Sequence, residues 1–211
     1  MKNPLIEKHF QNAKFSYSNE EYVKALDSIE KVLHIDNNNM NAIFFRGKCY
    51  MKLKKYSEAS DDFTKTTSDK NYDFKGGLGL RFLIRKISNN KEAEVFVNDL
   101  INRMPENEHI RFVFAEYLYR NGEYVNAINE FEKSIGFGNR INNYSYDYIA
   151  NCWAQLGNSE KAIENLTHAI NNSIDNDLCK TSFYYERAKC FFSNNEYDSA
   201  YTDAISVPRS R

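Results

Sequence analysis

Glu21-Tyr22-Val23-Lys24-Ala25 returns along the chain as Lys55-Tyr56-Ser57-Glu58-Ala59, Glu123-Tyr124-Val125-Asn126-Ala127 and Glu196-Tyr197-Asp198-Ser199-Ala200. Each copy places an aromatic ring three residues before an alanine. Lys91-Glu92-Ala93 and Glu160-Lys161-Ala162 keep the alanine without the ring. The six alanines, at 25, 59, 93, 127, 162 and 200, are separated by 34, 34, 34, 35 and 38 residues. A period of this length marks a repeated supersecondary unit, and such a unit carries an apolar face too large to bury by itself, so neighbours must stack in order.

The residues around each alanine keep the same register. Twelve positions before it stand Ala13, Gly47, Arg81, Ala115, Ala150 and Ala188, five of them small, as two closely crossing helices require. Four positions after it stand Ile29, Phe63, Val97, Phe131 and Leu166, with Ala204 the weak match; seven after it stand Val32, Thr66, Leu100, Ser134, Ala169 and Val207. Gly122 and Gly157 supply turns between paired helices. Pro105 is a helix-ending proline, and Asn37, Asn71 and Asn139 occupy the equivalent places, where asparagine is expected to take the left-handed conformation.

Over residues 6–207 this pattern resembles the tetratricopeptide-repeat (TPR) family. The resemblance implies an all-α fold, a right-handed superhelical solenoid of about six helix-turn-helix repeats in a single domain, residues 1–211. The repeats are expected at approximately 6–39, 40–73, 74–107, 108–141, 143–178 and 181–208. The third is the poorest match, with Arg81 at the small position and Asn90 in place of the tyrosine. The extra residues before Ala200 are expected in the second helix of the fifth repeat or in the loop from Asn171 to Cys179.

Composition agrees with helix. Only 3 Pro and 8 Gly interrupt the chain. With 28 basic and 29 acidic side chains there is no global field to attract nucleic acid or an anionic membrane. The start, from Met1 to His9, lacks the apolar stretch of a secretory leader, and no later run approaches a membrane span, so a cytoplasmic location is expected. Cys49, Cys152, Cys179 and Cys190 show neither a CxxC pair nor zinc-like spacing with His9, His34, His109 or His168.

Catalytic patterns are missing as well: no GxSxG, HExxH, P-loop or dinucleotide fingerprint occurs. Neither an enzyme nor a cofactor or metal is expected. Gly76-Gly77-Leu78-Gly79 reads as a flexible start to a helix. Cys49, Cys152 and Cys190 each fall ten residues before a repeat alanine and read as packing residues. The lysines between Lys48 and Lys55 read as a helix end and a solvated turn rather than a nucleic-acid patch.

The resemblance further implies that the first helix of each pair lines a concave groove that binds a segment of a partner protein. Groove-facing candidates are Phe10, Lys14, Tyr17, Phe44, Lys48, Met51, Phe82 and Arg85, then Phe112, Tyr119, Tyr148, Asn151, Tyr185 and Lys189. This set is aromatic and mildly basic, which suits a peptide with apolar anchors and acidic residues. The clamp by which some TPR proteins hold the carboxylate of a chaperone tail is not matched, because Phe10, Lys14, Phe45, Leu78 and Gly79 stand at its places. The expected role is a protein-interaction adaptor or scaffold. The alternative is self-association, a homodimer through a solenoid end, since no polar capping helix follows Pro208.

Overall fold

In the computed structural model, residues 3–87, 90–137, 142–173 and 178–206 are described. Asn139, Val207 and Pro208, singled out in the sequence, lie outside them. The described residues form twelve α-helices and no strand: α1 (Pro4–Ser18), α2 (Tyr22–Ile35), α3 (Met40–Lys52), α4 (Tyr56–Thr67), α5 (Asp73–Lys86), α6 (Asn90–Arg103), α7 (Glu108–Arg120), α8 (Tyr124–Phe137), α9 (Asn142–Gln155), α10 (Ser159–Asn172), α11 (Leu178–Ser193) and α12 (Tyr197–Ser206).

The helices follow the alanine register closely. Ser18, Lys52, Lys86, Arg120, Gln155 and Ser193 end the odd-numbered helices, each seven residues before its alanine, and every even-numbered helix begins three residues before it. The chain divides into two compact units, Met1–Asp99 and Leu100–Arg211, with the division inside α6. Within the first unit α1 packs on α2, α2 on α3, α3 on α4 and α4 on α5. Within the second, α7 packs on α8, α8 on α9, α9 on α10, α10 on α11 and α11 on α12. Stability is therefore distributed over neighbouring pairs rather than gathered in one core.

Among the described residues, five turns from an odd to an even helix share one geometry. The backbone N–H of Glu21, Lys55, Glu123, Asn158 and Glu196 donates five residues back, to the carbonyls of Ser16, Tyr50, Leu118, Trp153 and Phe191, at 2.9–3.0 Å. The residue between takes positive φ: Glu20 61°, Lys54 60°, Gly122 79°, Gly157 77° and Asn195 63°. This is the glycine-favoured helix stop, and only two of the five places hold glycine. A side chain in that conformation costs about 1 kcal/mol. Lys54→Gly is accordingly expected to stabilise the protein by about 0.5–1 kcal/mol, and Gly122→Ala to destabilise it by a similar amount, in chemical denaturation.

Three sequence expectations change. Asn37 and Asn71 do not take the left-handed conformation. Aspartates close those turns instead, each accepting from the amide two residues on: Asp36 Oδ1 from Asn38 at 3.3 Å and Asp69 Oδ1 from Asn71 at 2.8 Å. After the first of these turns an asparagine cap starts the next helix, Asn39 Oδ1 accepting from the Ala42 amide at 3.0 Å, whereas α5 begins after Tyr72 without a side-chain cap. The extra residues before Ala200 do not lengthen α10, which spans 14 residues like α2; α11 is longer, at 16 residues against 13 in α3 and α7, and residues 174–177 lie outside the described residues.

The third change concerns the glycines of α5. Gly76, Gly77 and Gly79 lie inside the helix and are buried. A Cβ on Gly79 would stand 2.6 Å from the Phe63 ring, and one on Gly76 would stand 2.5 Å from Thr66 Oγ1 and 2.7 Å from the Phe63 carbonyl oxygen. Gly47 on α3 approaches the same edge of that ring, its Cβ position 2.8 Å from Phe63 Cε1. Phe63 is thus clasped by two glycine-bearing helices, and the GGLG stretch serves close approach rather than flexibility.

Candidate functional site

The odd-numbered helices carry the residues expected to meet a partner, and packing separates them into open and closed positions. In the first unit Phe10 is 7% exposed, its ring 5.5 Å from Phe45. Tyr17 is half-buried, 5.2 Å from Phe45. Two lysines cover these rings: Lys14 Nζ lies 5.1 Å from the Phe10 centroid, and Lys48 Nζ lies 4.9 Å from Tyr17 and 5.3 Å from Phe45. Such contacts hold the ammonium groups over apolar surface while leaving their charge at the rim. Lys52 and Lys55 similarly lie over Tyr22 and Tyr50. Phe44 is half-buried, 5.7 Å from Phe63, and Met51 is half-buried. On α5, Phe82 is 48% exposed and Arg85 is exposed one turn further on.

In the second unit Phe112 is 3% exposed, packed 5.3 Å from Phe131 and 5.6 Å from Tyr148. Phe10 and Phe112 therefore belong to the helix packing and are withdrawn as contact residues. The reason is their register: each is covered by an aromatic residue of the next odd-numbered helix, Phe45 or Tyr148. Tyr119 and Tyr148 are half-buried, 5.3 Å apart, and the Tyr148 hydroxyl donates to Glu116 Oε1 at 3.3 Å. Asn151 donates to the Asp147 carbonyl at 2.9 Å and to its carboxylate at 3.3 Å. Tyr185 and Lys189 are exposed; Lys189 Nζ pairs with Glu186 at 2.7 Å and lies 5.5 Å from the Tyr185 ring.

Two acidic residues beside this face escaped the sequence reading. Burial, reinforced by the nearby Glu186 carboxylate, pushes the Asp147 carboxyl up from 3.8 to about 6. Asp147 immediately precedes Tyr148, so the signal was adjacent, but burial of a carboxylate depends on α11 packing back over α9/α10. The aromatic and mildly basic surface expected throughout is found in the first unit; in the second it is interrupted by Glu116, Asp147 and Glu186. Burial also raises the Tyr119 hydroxyl, with smaller contributions from Cys152, Tyr124, Asp147 and Glu186.

The Asp147 shift has a stability consequence. Its carboxyl titrates near 3.8 when unfolded and near 6 when folded, so the folded chain holds the proton more tightly in between. Stability therefore falls as pH rises across that window, and the full penalty is present above it. Asp147→Asn is expected to raise stability by about 1–2 kcal/mol at neutral pH, the gain vanishing below about pH 4, as followed by denaturation at several pH values.

The thiols agree with a packing role. Cys49 and Cys152 are fully buried, and burial pushes both up to about 12, which keeps them protonated and poor nucleophiles. Cys190 is half-buried and raised for the same reason. Among the described residues no helix is long and apolar enough to cross a membrane.

No family model matches the sequence, and no curated protein matches it. Solved structures do. PilW, a type IV pilus biogenesis factor, aligns with a TM-score of 0.61 at 16% identity over 100% of this chain and 97% of its own. Yeast Tom70 aligns with a TM-score of 0.63 at 18% identity over 89% of this chain, which spans 40% of Tom70. A tetratricopeptide repeat protein from Parabacteroides merdae aligns with a TM-score of 0.52 at 21% identity, covering 90% of this chain and 72% of its own. This chain has the tetratricopeptide-repeat fold.

Within a TPR array the odd-numbered helices are the first helices of their pairs, and one register position on them is informative here. Eleven residues before the repeat alanine stand Lys14, Lys48, Glu116, Asn151 and Lys189, all polar, and Phe82. TPR packing places no demand for an aromatic ring there, since five other pairs manage with a polar side chain.

Proposed function

We propose that the protein is an interaction scaffold that holds a peptide segment of a partner protein along the first helices of its repeats. The observation that carries this reading is Phe82, a half-exposed ring at a position that is polar in the other five pairs. Aromatic side chains are enriched at protein-binding interfaces relative to the rest of a protein surface. Met51 on α3 and the cationic rim of Lys14, Lys48 and Arg85 on the first unit support a segment with apolar anchors and acidic residues. The acidic residues of the second unit confine that charge preference to the first.

A displayed random-peptide library selected on the intact protein tests this directly. Selected peptides are expected to be rich in aromatic and acidic residues, and Phe82→Ala is expected to weaken them by about 1–3 kcal/mol, with melting unchanged. Lys48→Glu should act mainly through the association rate, an effect that shrinks as salt rises. Tyr119 is a poorer probe because it is half-buried against Tyr148 and its truncation would disturb packing. Peptides that bind Phe82→Ala and Lys48→Glu as well as the parent protein would overturn the assignment.

A further inference from the structure

Lys14, Lys48 and Phe82 stand at one register position, eleven residues before the alanine, on α1, α3 and α5 of the first compact unit. Successive first helices of this unit touch. The Phe10 ring of α1 meets Phe45 of α3, and Gly47 of α3 and Gly79 of α5 both lie against the Phe63 ring. The three side chains therefore form a row across the helices, its step set by the separation of adjacent helix axes, about 8–10 Å.

The two cations of this row are unmatched within the unit. Neither α1 nor α3 places an Asp or Glu within four residues of Lys14 or Lys48. Their ammonium groups rest on the Phe10, Tyr17 and Phe45 rings instead, and among the described residues neither forms an ion pair. Lys24, Lys133 and Lys189, by contrast, each pair with a glutamate three residues away. An ammonium held over a ring is positioned before a ligand arrives and keeps its charge for one. Phe82, 48% exposed, ends the row with an aromatic face.

Spacing decides which backbone fits such a row. Polyproline II has three residues per turn and advances about 9 Å in each, so residues three apart face one way at the step of the helices. A β-strand turns every third residue to the opposite face. Three residues of α-helix advance only about 4.5 Å. We propose that Phe82, Lys48 and Lys14 bind a partner segment in the polyproline II conformation that carries one aromatic and two acidic residues at intervals of three, the ring on Phe82 and the carboxylates on Lys48 and Lys14 in turn. This rests on the reading of the first helices as a peptide site and names the sequence pattern that the site takes. Prolines at the intervening places suit it, because they hold the backbone in that conformation and lessen the entropy lost on binding.

The test uses the full chain and two fluorescein-labelled, amidated peptides, Trp-Pro-Pro-Glu-Pro-Pro-Glu and its reverse, since the row does not fix chain direction. Fluorescence anisotropy is expected to give saturable binding for at least one, with a dissociation constant on the order of tens of micromolar at low salt. The composition-matched Trp-Pro-Glu-Pro-Glu-Pro-Pro should bind about fivefold or more weakly, because its carboxylates leave the common face. Phe82→Ala should weaken the correctly spaced peptide about tenfold. Lys14→Gln, at an exposed side chain, should weaken it about two- to fivefold and leave unchanged a peptide whose glutamate farther from Trp is glutamine. The proposal is overturned if neither order binds, if the respaced peptide binds equally, or if Lys14→Gln acts on both peptides alike. Library peptides that need Phe82 but bind without this spacing would remove the pattern and leave the scaffold reading standing, whereas the absence of any Phe82-dependent peptide would remove both.

Discussion

Arg46→Met is expected to destabilise the protein by about 3 kcal/mol in chemical denaturation, the largest loss expected from any single side chain outside the apolar core. The Arg46 guanidinium is bidentate on Asp62, Nε to Oδ2 at 2.9 Å and Nη2 to Oδ1 at 2.7 Å, and its third nitrogen reaches Glu30 at 3.1 Å. The Asp62 side chain is only 6% exposed. Burial alone would push its carboxyl up, and Arg46 opposes that shift. Removing the cation leaves a buried carboxylate without compensation, which costs more than the pair contributes over an apolar substitute. The double variant Arg46→Met, Asp62→Leu should therefore recover more than half of the loss. A double variant no better than the single would show that the arginine stabilises by packing on Tyr50, 5.9 Å away, instead of by charge.

The same device recurs in the second unit. Arg187 is bidentate on Asp203 at 2.7 Å for both bonds and reaches Thr167 Oγ1 at 2.9 Å. Arg46 and Arg187 both stand thirteen residues before their alanines, and Asp62 and Asp203 both stand three after. Each arginine thus ties its own helix pair together and touches the preceding second helix, through Glu30 or Thr167.

Gly76→Ala is expected to cost about 2 kcal/mol net, although alanine in a helix is ordinarily favoured over glycine by about 1 kcal/mol. Its new methyl would meet the Phe63 carbonyl oxygen and the Thr67 amide nitrogen, both at 2.7 Å, and backbone atoms cannot swing away. Gly79→Ala should cost a similar amount for a different reason, because it strikes the Phe63 ring, which Gly47 already confines. Phe63→Leu provides the discrimination: it should lessen the cost of Gly79→Ala and leave that of Gly76→Ala unchanged. Wild-type stability in Gly76→Ala would mean that α5 does not approach α4 as described.

The alanine register foretold an all-α array of paired helices, because a residue at a close helix crossing must be small; that each odd-numbered helix ends seven residues and each even-numbered helix begins three residues before its alanine emerged only from the structure. It also identified Gly122 and Gly157 as turns, but it could not see that Glu20, Lys54 and Asn195 take the same backbone conformation, since hydrogen bonds five residues back enforce it on side chains that do not prefer it. The GGLG stretch was misread for a related reason. Local propensity makes three glycines a weak helix, whereas the proximity of Phe63 leaves little room for a side chain at Gly76 and Gly79.

For the candidate site the sequence by itself determined which helices carry the aromatic and charged residues, and that Phe82 breaks a polar pattern. It could not decide which rings remain open. Phe10, Phe112 and Tyr185 share one register position, and two are closed because a following helix lays an aromatic ring across them, while the third is exposed. Exposure, the raised Asp147 carboxyl and the buried arginine pairs all depend on which helix packs next. That is a property of tertiary contact between residues 16 to 39 places apart, and no local pattern of residue types contains it.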